Sequence, residues 1–256
     1  MTNYIFLDSD TIQKIKAKTI LSCSICGGKG ATFDGNSFHN CTCTEKFLRE
    51  TNLVGAGISK KYWTFSMVDL TPEFHKQNEV ALRIIQMYTR SIKKAVDEGV
   101  GLFIQGQAGL AKSSIGHIIL RDAVDQGFVG YSIRMTKLSR LIFDSLENPE
   151  KKELLNWIRD KVQILLVDEI DKDYKTGDLT SFQGTQVNDF FEEIYDRQVP
   201  LILTSNLAKK DLVGKHAYNI IDRFKELIDV IFVGESYRNQ EDSLEKLIGD
   251  DEEDDI

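Results

Sequence analysis

The chain has 256 residues, of which 41% are hydrophobic and 28% charged, as is typical of a soluble globular protein with one main core and a small extra module. No apolar run approaches the roughly 20 residues that cross a membrane, and the amino terminus lacks a secretory signal, so we expect a cytoplasmic protein without a membrane partner. The net charge of −8 does not exclude a nucleic-acid partner, because six acids lie in the last eight residues and the rest of the chain carries 34 acids against 32 bases.

All four cysteines lie close together, as a C-x-x-C pair, Cys23 and Cys26, followed by a C-x-C pair, Cys41 and Cys43. In a reducing cytosol this spacing predicts a tetrahedral site of four thiolates for a structural zinc ion. A redox dithiol, or a set of unrelated thiols, is the alternative. His39 could replace one thiolate, but four cysteines already complete the coordination, so we expect it to be a bystander.

A short helix follows the cysteines and leads into an aromatic connector at 55–72. We expect Tyr62, Trp63 and Phe65 of this connector to pack on the next domain. Residues 73–98 repeat apolar side chains at helical spacing and predict one amphipathic helix.

From residue 101 the sequence alternates apolar strands with helices. Continuous apolar strands in such an alternation indicate an α/β fold, with a mostly parallel sheet covered by helices on both faces. The predicted strands are GLFIQ, VGYSIRM, VQILLVDE, PLILTSN and VIFVG. The predicted helices are KSSIGHIILRDAVDQ, TKLSRLIFDSL, EKKELLNWIRD, QVNDFFEEIYDR and AYNIIDRFKEL.

The loop GQAGLAKSS is close to the phosphate-binding pattern G-x-x-x-x-G-K-[ST] and follows a strand. In that geometry backbone N–H groups surround phosphate oxygens, Lys112 neutralises the β- and γ-phosphates, and Ser113 supplies an oxygen to magnesium. Ala111 stands where the pattern has glycine, and a left-handed backbone there would cost alanine about 1–2 kcal/mol without removing its N–H. The predicted nucleotide-binding residues of the loop are Gly106, Gln107, Ala108, Gly109, Leu110, Ala111, Lys112, Ser113 and Ser114.

Polar residues end the later strands. Asp168 can hold magnesium through water, and Glu169 can orient or deprotonate the attacking water. Two solvent-exposed acids after a core strand are the alternative. Asn206 could hold the same water or sense the γ-phosphate, although an asparagine at a strand end is often only a turn former.

Two arginines could complete the site. Arg223 follows Asn206 on a helix and could reach the γ-phosphate of a neighbouring subunit, where such a finger is worth about 10³–10⁵ in rate. A surface salt bridge is the other interpretation of Arg223. Arg238, in GESYR, is a second candidate that would act on the chain's own nucleotide or on a neighbour's.

The order and spacing of these motifs over residues 58–239 resembles the AAA+ ATPases of the DnaC/DnaI helicase-loader type and the related IstB transposition ATPases. The motifs are GISKKYWTFSMVDL, GQAGLAKSS, ILLVDEID, LILTSNL, IIDRF and GESYR, and the cysteine segment is similar to a zinc module that precedes the ATPase core in some loaders. The resemblance implies the AAA+ P-loop fold, with ATP or ADP, Mg²⁺ and Zn²⁺ as cofactors. The implied catalytic residues are Lys112, Glu169, Asn206 and Arg223, the implied magnesium ligands are Ser113 and Asp168, and Arg238 matches the late arginine of the family.

Loaders of this type place a hexameric replicative helicase on single-stranded DNA, and their amino-terminal region usually holds the helicase. The resemblance therefore implies three partners: the helicase, single-stranded DNA and further copies of the chain at the nucleotide interface. Arg134, Lys137 and Arg140 offer cations for DNA, beside Tyr131 and Phe143 for base stacking. A solvated helix face with core aromatics is an equally good interpretation of this segment.

We therefore predict a zinc-binding, helicase-interaction module at 1–54, a connector at 55–72, an AAA+ domain at 73–240 and a disordered acidic tail at 241–256. Two other functions remain open. A transposition ATPase would act on duplex target DNA, and an adaptor would bind nucleotide without turnover, which Ala111 would permit. Glu169 and Arg223 favour turnover, because a pure binder has little need of either.

Overall fold

A computed structural model describes residues 6–172, 182–212 and 223–236, without the side chains of 182 and 183. The helices in these ranges are α1 (Ser9–Lys16), α2 (Thr42–Gly55), α3 (Pro72–Gln77), α4 (Glu79–Arg90), α5 (Ile92–Glu98), α6 (Lys112–Asp125), α7 (Met135–Asp144), α8 (Pro149–Lys161) and α9 (Phe182–Asp196). The strands are β1 (Ala31–Phe33), β2 (Phe38–Asn40), β3 (Leu102–Gln105), β4 (Gly130–Arg134), β5 (Ile164–Asp168), β6 (Leu201–Ser205) and β7 (Ile228–Ile231).

The amino-terminal module joins α1, a β-hairpin and the start of α2 around the cysteines. The Asp8 side chain caps α1 by accepting a hydrogen bond of 2.7 Å from the Thr11 amide. Strands β1 and β2 pair antiparallel, with Phe33 opposite Phe38. Cys41 is the N-cap of α2, so the second cysteine pair lies at the junction of hairpin and helix.

Strands β3 to β7 form one parallel sheet in the order β4-β5-β6-β3-β7. The predicted α/β fold is confirmed, and each of the five predicted strands is present. The last strand begins at Ile228, two residues before the predicted start, because the Ile228 amide donates to Gly101 O at 3.0 Å and so opens the pairing with β3.

The sheet separates two hydrophobic clusters. Leu102 and Ile104 of β3 belong to the cluster beneath α4, α5 and α6, whereas Phe103 faces the cluster formed with α7, α8 and α9. Helices therefore cover both faces, as the apolar strands predict. Tyr62, Trp63 and Phe65 pack against the first cluster, as expected for the connector.

Helix α2 connects the cysteine module to this core. Its residue Leu53 is fully buried in the first cluster, and Arg49 forms an ion pair of 2.8 Å with Asp125 at the end of α6. The amino-terminal half of α2 thus carries a cysteine, while its carboxy-terminal half packs on the core of the parallel sheet.

The single helix predicted over 73–98 is wrong, because the structure has three helices with breaks at Asn78 and Ser91. Asn78 is buried and binds a distant segment: its Oδ1 accepts from the Val233 amide at 2.8 Å, and its Nδ2 donates to the Val233 carbonyl at 3.0 Å. The break changes the buried face, so that Val80 is 76% exposed. Among the described residues, no helix is both long enough and apolar enough to span a bilayer.

Candidate active site

The glycine-rich loop lies between β3 and α6, at the carboxyl edge of the sheet. Ala111 is the N-cap of α6 and has the left-handed backbone that the sequence left open, with φ 50° and ψ 13°. Alanine costs about 1–2 kcal/mol in this conformation relative to glycine. The fold tolerates the strain, since the Ala111 carbonyl still accepts the first helical hydrogen bond, 2.9 Å from Ile115 N.

Lys112 is the central cation of the loop. Its side chain is buried, and Nζ donates to the carbonyls of Gly106 at 2.8 Å and Gln107 at 2.6 Å and to Asn206 Oδ1 at 3.0 Å. The structure therefore brings the predicted phosphate-binding lysine into contact with the predicted sensor asparagine that follows β6.

Asp168 joins the loop to the two central strands. Its Oδ1 accepts from Ser113 Oγ at 2.7 Å and from Thr204 Oγ1 at 2.6 Å. Thr204 Oγ1 in turn accepts from the Glu169 amide at 2.8 Å. The hydroxyl and carboxylate of Ser113 and Asp168 are the hard oxygen ligands that Mg²⁺ prefers, so this pair fits a magnesium site.

Glu169 follows Asp168 with a left-handed backbone, φ 56°, and its side chain is half-buried. The Ile170 amide donates to the Thr204 carbonyl at 2.9 Å, so Thr204 binds the backbone on both sides of Glu169. A left-handed non-glycine residue held by its surroundings is a common device for aiming a functional side chain.

These groups line a polar cavity of about 500 Å³. The predicted residues in its wall are Ala108, Gly109, Leu110, Ala111, Lys112, Ser113, Ser114, Asp168, Glu169 and Asn206. The residues that sequence reasoning did not assign to it are Lys61, Tyr62, Phe65, Arg134, Asp171, Lys172, Thr204 and Ser205.

The connector lines the cavity because α6 holds it there. Nη1 of Arg121 donates to the carbonyl of Phe65 at 2.6 Å and to that of Tyr62 at 3.1 Å. The Tyr62 ring stacks on His117, with centroids 4.2 Å apart. No sequence motif predicts the contacts of Tyr62 and Phe65 with α6, since they join residues that are distant in sequence.

His117 links the connector to the phosphate loop. Burial lowers the pKa of His117, so its ring is neutral at pH 7. In the neutral ring Nδ1 donates to the Ser113 carbonyl at 2.6 Å and Nε2 accepts from Ser132 Oγ at 3.0 Å. Tyr62 is therefore connected through His117 to Ser113, whose hydroxyl is the predicted magnesium ligand.

Solved structures share this architecture. A crystal structure of the DnaC helicase loader matches with a TM-score of 0.58 at 18% identity, covering 68% of this chain and 100% of that one. DnaI matches with a TM-score of 0.55 at 16% identity, covering 69% and 95%. The core has the AAA+ P-loop fold.

The replication initiator DnaA, bound to AMPPCP and single-stranded DNA, matches this AAA+ core with a TM-score of 0.51 at 18% identity, covering 73% of this chain and 58% of that one. No protein-family model and no curated protein matches the sequence. The comparisons therefore establish the fold of the AAA+ core.

Arg223 lies away from the cavity of its own AAA+ core. It precedes β7, at the edge of the parallel sheet opposite the phosphate loop, and strands of this length span roughly 13–17 Å. Its guanidinium lies 4.3 Å from the centre of the Tyr195 ring and 3.6 Å from Asp196 Oδ1. Arg238, the second predicted arginine, lies outside the described residues.

The predicted DNA-binding residues lie in two different parts of the structure. Arg134 ends β4 and lines the polar cavity, whereas Lys137 and Arg140 are exposed on α7. Tyr131 is half-buried, and its ring packs edge-on against Trp157 with the centroids 5.7 Å apart, so it makes a core contact. Phe143 is 51% exposed on the same helix.

The four cysteine thiols converge, with all sulfur atoms within 4.8 Å of one another. The Cys23–Cys41 and Cys26–Cys43 distances are 3.8 and 3.5 Å. Zn–S bonds of about 2.3 Å in a tetrahedron separate sulfurs by roughly 3.8 Å, so the donor set and spacing fit zinc.

The pKa values of two thiols in the cluster, Cys26 and Cys43, are shifted in opposite directions. Burial opposes ionisation of Cys26, but hydrogen bonds from the Gly30 amide and the other thiols lower its pKa to about 6. Burial and the hydrogen bond to Cys26 raise the pKa of Cys43 to about 12. His39 is turned away from this cluster, with Nε2 2.7 Å from Asp34 Oδ2 and 2.8 Å from Ser37 Oγ.

Proposed function

We propose that the chain is an ATP-dependent loader that binds a hexameric replicative DNA helicase and helps to place it on single-stranded DNA during replication initiation. The observation that carries the ATPase part is the linked set of Lys112, Ser113, Asp168 and Asn206 around one cavity. The loader part rests on the combination of an AAA+ core with a cysteine module and on the folds of DnaC and DnaI.

In the proposed reaction Lys112 neutralises the β- and γ-phosphates, and Ser113 and Asp168 hold magnesium. Magnesium would supply charge neutralisation at the phosphates. Glu169 accepts a proton from the attacking water, whose orientation depends on Asn206. Arg223 lies on the opposite edge of the sheet, which supports a contact with a neighbouring subunit's nucleotide rather than its own. Self-association would then complete the site and make turnover by isolated chains slow.

The cysteine module is the proposed helicase-binding region, because it carries exposed apolar side chains. Phe33 is 58% and Phe38 is 78% exposed, and their rings lie 5.0 Å apart on the hairpin. Ile25, between the first two cysteines, is 70% exposed. Aromatic side chains, phenylalanine included, are enriched at protein interfaces relative to the rest of the surface.

The double substitution Phe33→Ser/Phe38→Ser is expected to abolish co-purification with the hexameric replicative helicase of the same organism. An exposed cross-strand pair contributes only about 0.2–1 kcal/mol to folding, so the module should remain folded. The measurement is pull-down of purified helicase, with ATP hydrolysis as the check on the core. Met87→Ser, which replaces a side chain 61% exposed on α4, is the matched control. Equal helicase capture by both variants would place the helicase contact elsewhere.

Single-stranded DNA is the proposed ligand of α7. Lys137 and Arg140 are exposed at helical spacing and follow directly on Arg134, which lines the nucleotide cavity. DNA bound along α7 would therefore lie close to the nucleotide, and DnaA, whose structure is similar to this core, binds both AMPPCP and single-stranded DNA.

Replacement of both Lys137 and Arg140 by alanine is expected to weaken single-strand binding and to reduce the salt slope, d log K/d log[salt], by about 1.4, since each phosphate contact in single strands contributes roughly 0.7. Fluorescence anisotropy with a labelled oligonucleotide at several salt concentrations measures both effects. Lys93→Ala/Lys94→Ala removes two exposed cations from α5 and serves as the control. An unchanged salt slope would remove α7 from the DNA interface.

The same experiments distinguish a loader from the two alternatives, a transposition ATPase and a nucleotide-binding adaptor. Preference for duplex over single-stranded DNA, without helicase capture, would favour a transposition ATPase. Nucleotide binding with equally negligible turnover in the wild type and in a Glu169→Gln variant would favour an adaptor.

A further inference from the structure

We propose that Asp171 is a positioning residue that fixes the side-chain amide of Asn206 for hydrolysis, an inference that rests on the proposed ATPase activity. Asp171 lies two residues after Glu169, lines the nucleotide cavity and is only 9% exposed. It belongs to neither the phosphate loop nor the predicted magnesium pair.

Both oxygens of the Asp171 carboxylate bind one residue. Oδ1 accepts from the backbone amide of Asn206 at 2.9 Å, and Oδ2 accepts from its side-chain Nδ2 at 3.0 Å. The other end of the same amide, Oδ1, accepts from Lys112 Nζ at 3.0 Å. Asn206 is thus held between a carboxylate and an ammonium group.

This arrangement permits one orientation of the amide. An ionised carboxylate only accepts hydrogen bonds and an ammonium group only donates them. A rotation of the Asn206 amide by 180° would place its oxygen against the Asp171 carboxylate and its NH₂ group against Lys112. Asp171 therefore keeps the oxygen of Asn206 on the side of Lys112 and the phosphate loop.

An amide oxygen on that side suits the reaction. When the β- and γ-phosphates of ATP draw Lys112 toward themselves, Asn206 Oδ1 can accept a hydrogen bond from the attacking water instead. The water oxygen bonds to the γ-phosphorus as the bond from phosphorus to the β–γ bridging oxygen breaks. One water proton passes to Glu169, and the bridging oxygen leaves with ADP. Two acceptors, Asn206 Oδ1 and Glu169, would then align the water.

Burial of a carboxylate is costly unless its oxygens are hydrogen-bonded. A purely structural role at this position could be filled by a neutral side chain that accepts a single hydrogen bond from the Asn206 backbone. The second bond, from Nδ2, is the one that orients the amide. Its selective removal therefore separates orientation from packing.

Asp171→Asn keeps size and the acceptor for the Asn206 backbone but sets an NH₂ group against Nδ2. We expect kcat for ATP to fall by about 10- to 100-fold, the size of effect seen when a group that orients a metal ligand is removed. KM for ATP should change less than about threefold, because the phosphate-binding residues are intact. Asp211→Asn, the same change at an exposed position after β6, should leave both constants unchanged.

A double-variant cycle tests whether Asp171 acts through Asn206. In an Asn206→Ala background, Asp171→Asn should lower kcat by less than about twofold further. Multiplicative losses in the double variant, or an unchanged kcat in Asp171→Asn, would overturn the positioning role. Thermal unfolding of each variant shows whether a loss of kcat reflects loss of fold.

A spectroscopic comparison keeps this inference separate from the ATPase proposal. The side-chain ¹H–¹⁵N pair of Asn206 is identified by its disappearance in Asn206→Ala. It should shift in Asp171→Asn and stay in place in Asp211→Asn; an unmoved pair would show that the contact does not orient the amide. Absence of turnover in the wild type, with and without single-stranded DNA, would overturn the ATPase proposal, and the spectra would still decide the contact.

Discussion

ATP hydrolysis by a Glu169→Gln variant is expected to fall by about 10²–10⁴-fold, with ATP binding retained. Glutamine keeps the length and polarity of the side chain but cannot accept a proton from water at neutral pH. The groups proposed to bind the phosphates and magnesium are held without the Glu169 side chain, since Lys112 bonds the loop carbonyls of Gly106 and Gln107 and Ser113 bonds Asp168.

The measurement is phosphate release at saturating ATP, with and without single-stranded DNA, together with binding of a fluorescent ATP analogue. Glu147→Gln, the same change at an exposed position after α7, is the control and should match the wild type. A Glu169→Gln variant that kept more than about a tenth of the wild-type rate would exclude Glu169 as the base. Loss of analogue binding would instead indicate that the left-handed backbone at 169 had changed.

Much of the core could be predicted because its signals are local. Parallel strands buried on both faces are continuous apolar runs, and β3, β5 and β6 are therefore readable one by one. The phosphate loop and the four cysteines are also local patterns, so they can be recognised from residue type and spacing alone. For Ala111, the free-energy cost of a left-handed backbone can be given from the residue type alone. Only the structure shows that residue 111 adopts that conformation.

What could not be predicted depends on contacts between distant segments. Asn78 breaks the predicted helix because it binds Val233, 155 positions away. Asp171 and Asn206 are 35 positions apart, and no periodicity links an acid after one strand to an amide after the next. Asp171 follows β5 and Asn206 follows β6. Only the knowledge that these two strands are parallel neighbours in the sheet would have suggested the contact.

Two residues that line the cavity belong to segments for which other roles were predicted. Arg134 connects the cavity to α7, the proposed DNA helix, and Tyr62 connects it to the segment that leads back to the cysteine module. Helicase, DNA and nucleotide would thus act on segments that meet at one cavity. A loader requires such communication, because each ligand must alter the affinity for the others.

Removal of zinc is expected to unfold the cysteine module while leaving ATP turnover intact. Structural zinc in small modules binds with about 10–16 kcal/mol, more than a hairpin of two three-residue strands and one short helix can replace. The first half of helix α2 should unfold and its second half should stay helical. Cys43 lies in the first turn, whereas Thr51 and Leu53 are buried against the core. The hairpin and the first turn of α2 should lose protection, and the amides near Leu53 should keep it.

Hydrogen exchange measured by mass spectrometry, before and after chelation, tests this division directly, and metal analysis should give about one zinc per chain. Cys43→Ser should reproduce the chelated pattern and abolish helicase capture at wild-type rates of ATP hydrolysis. Ser24→Ala, an exposed position between the first two cysteines, is the matched control and should keep zinc and protection. A hairpin that stayed protected without metal, or a Cys23–Cys41 or Cys26–Cys43 disulfide in the isolated protein, would instead favour the redox dithiol, since these pairs already lie 3.8 and 3.5 Å apart.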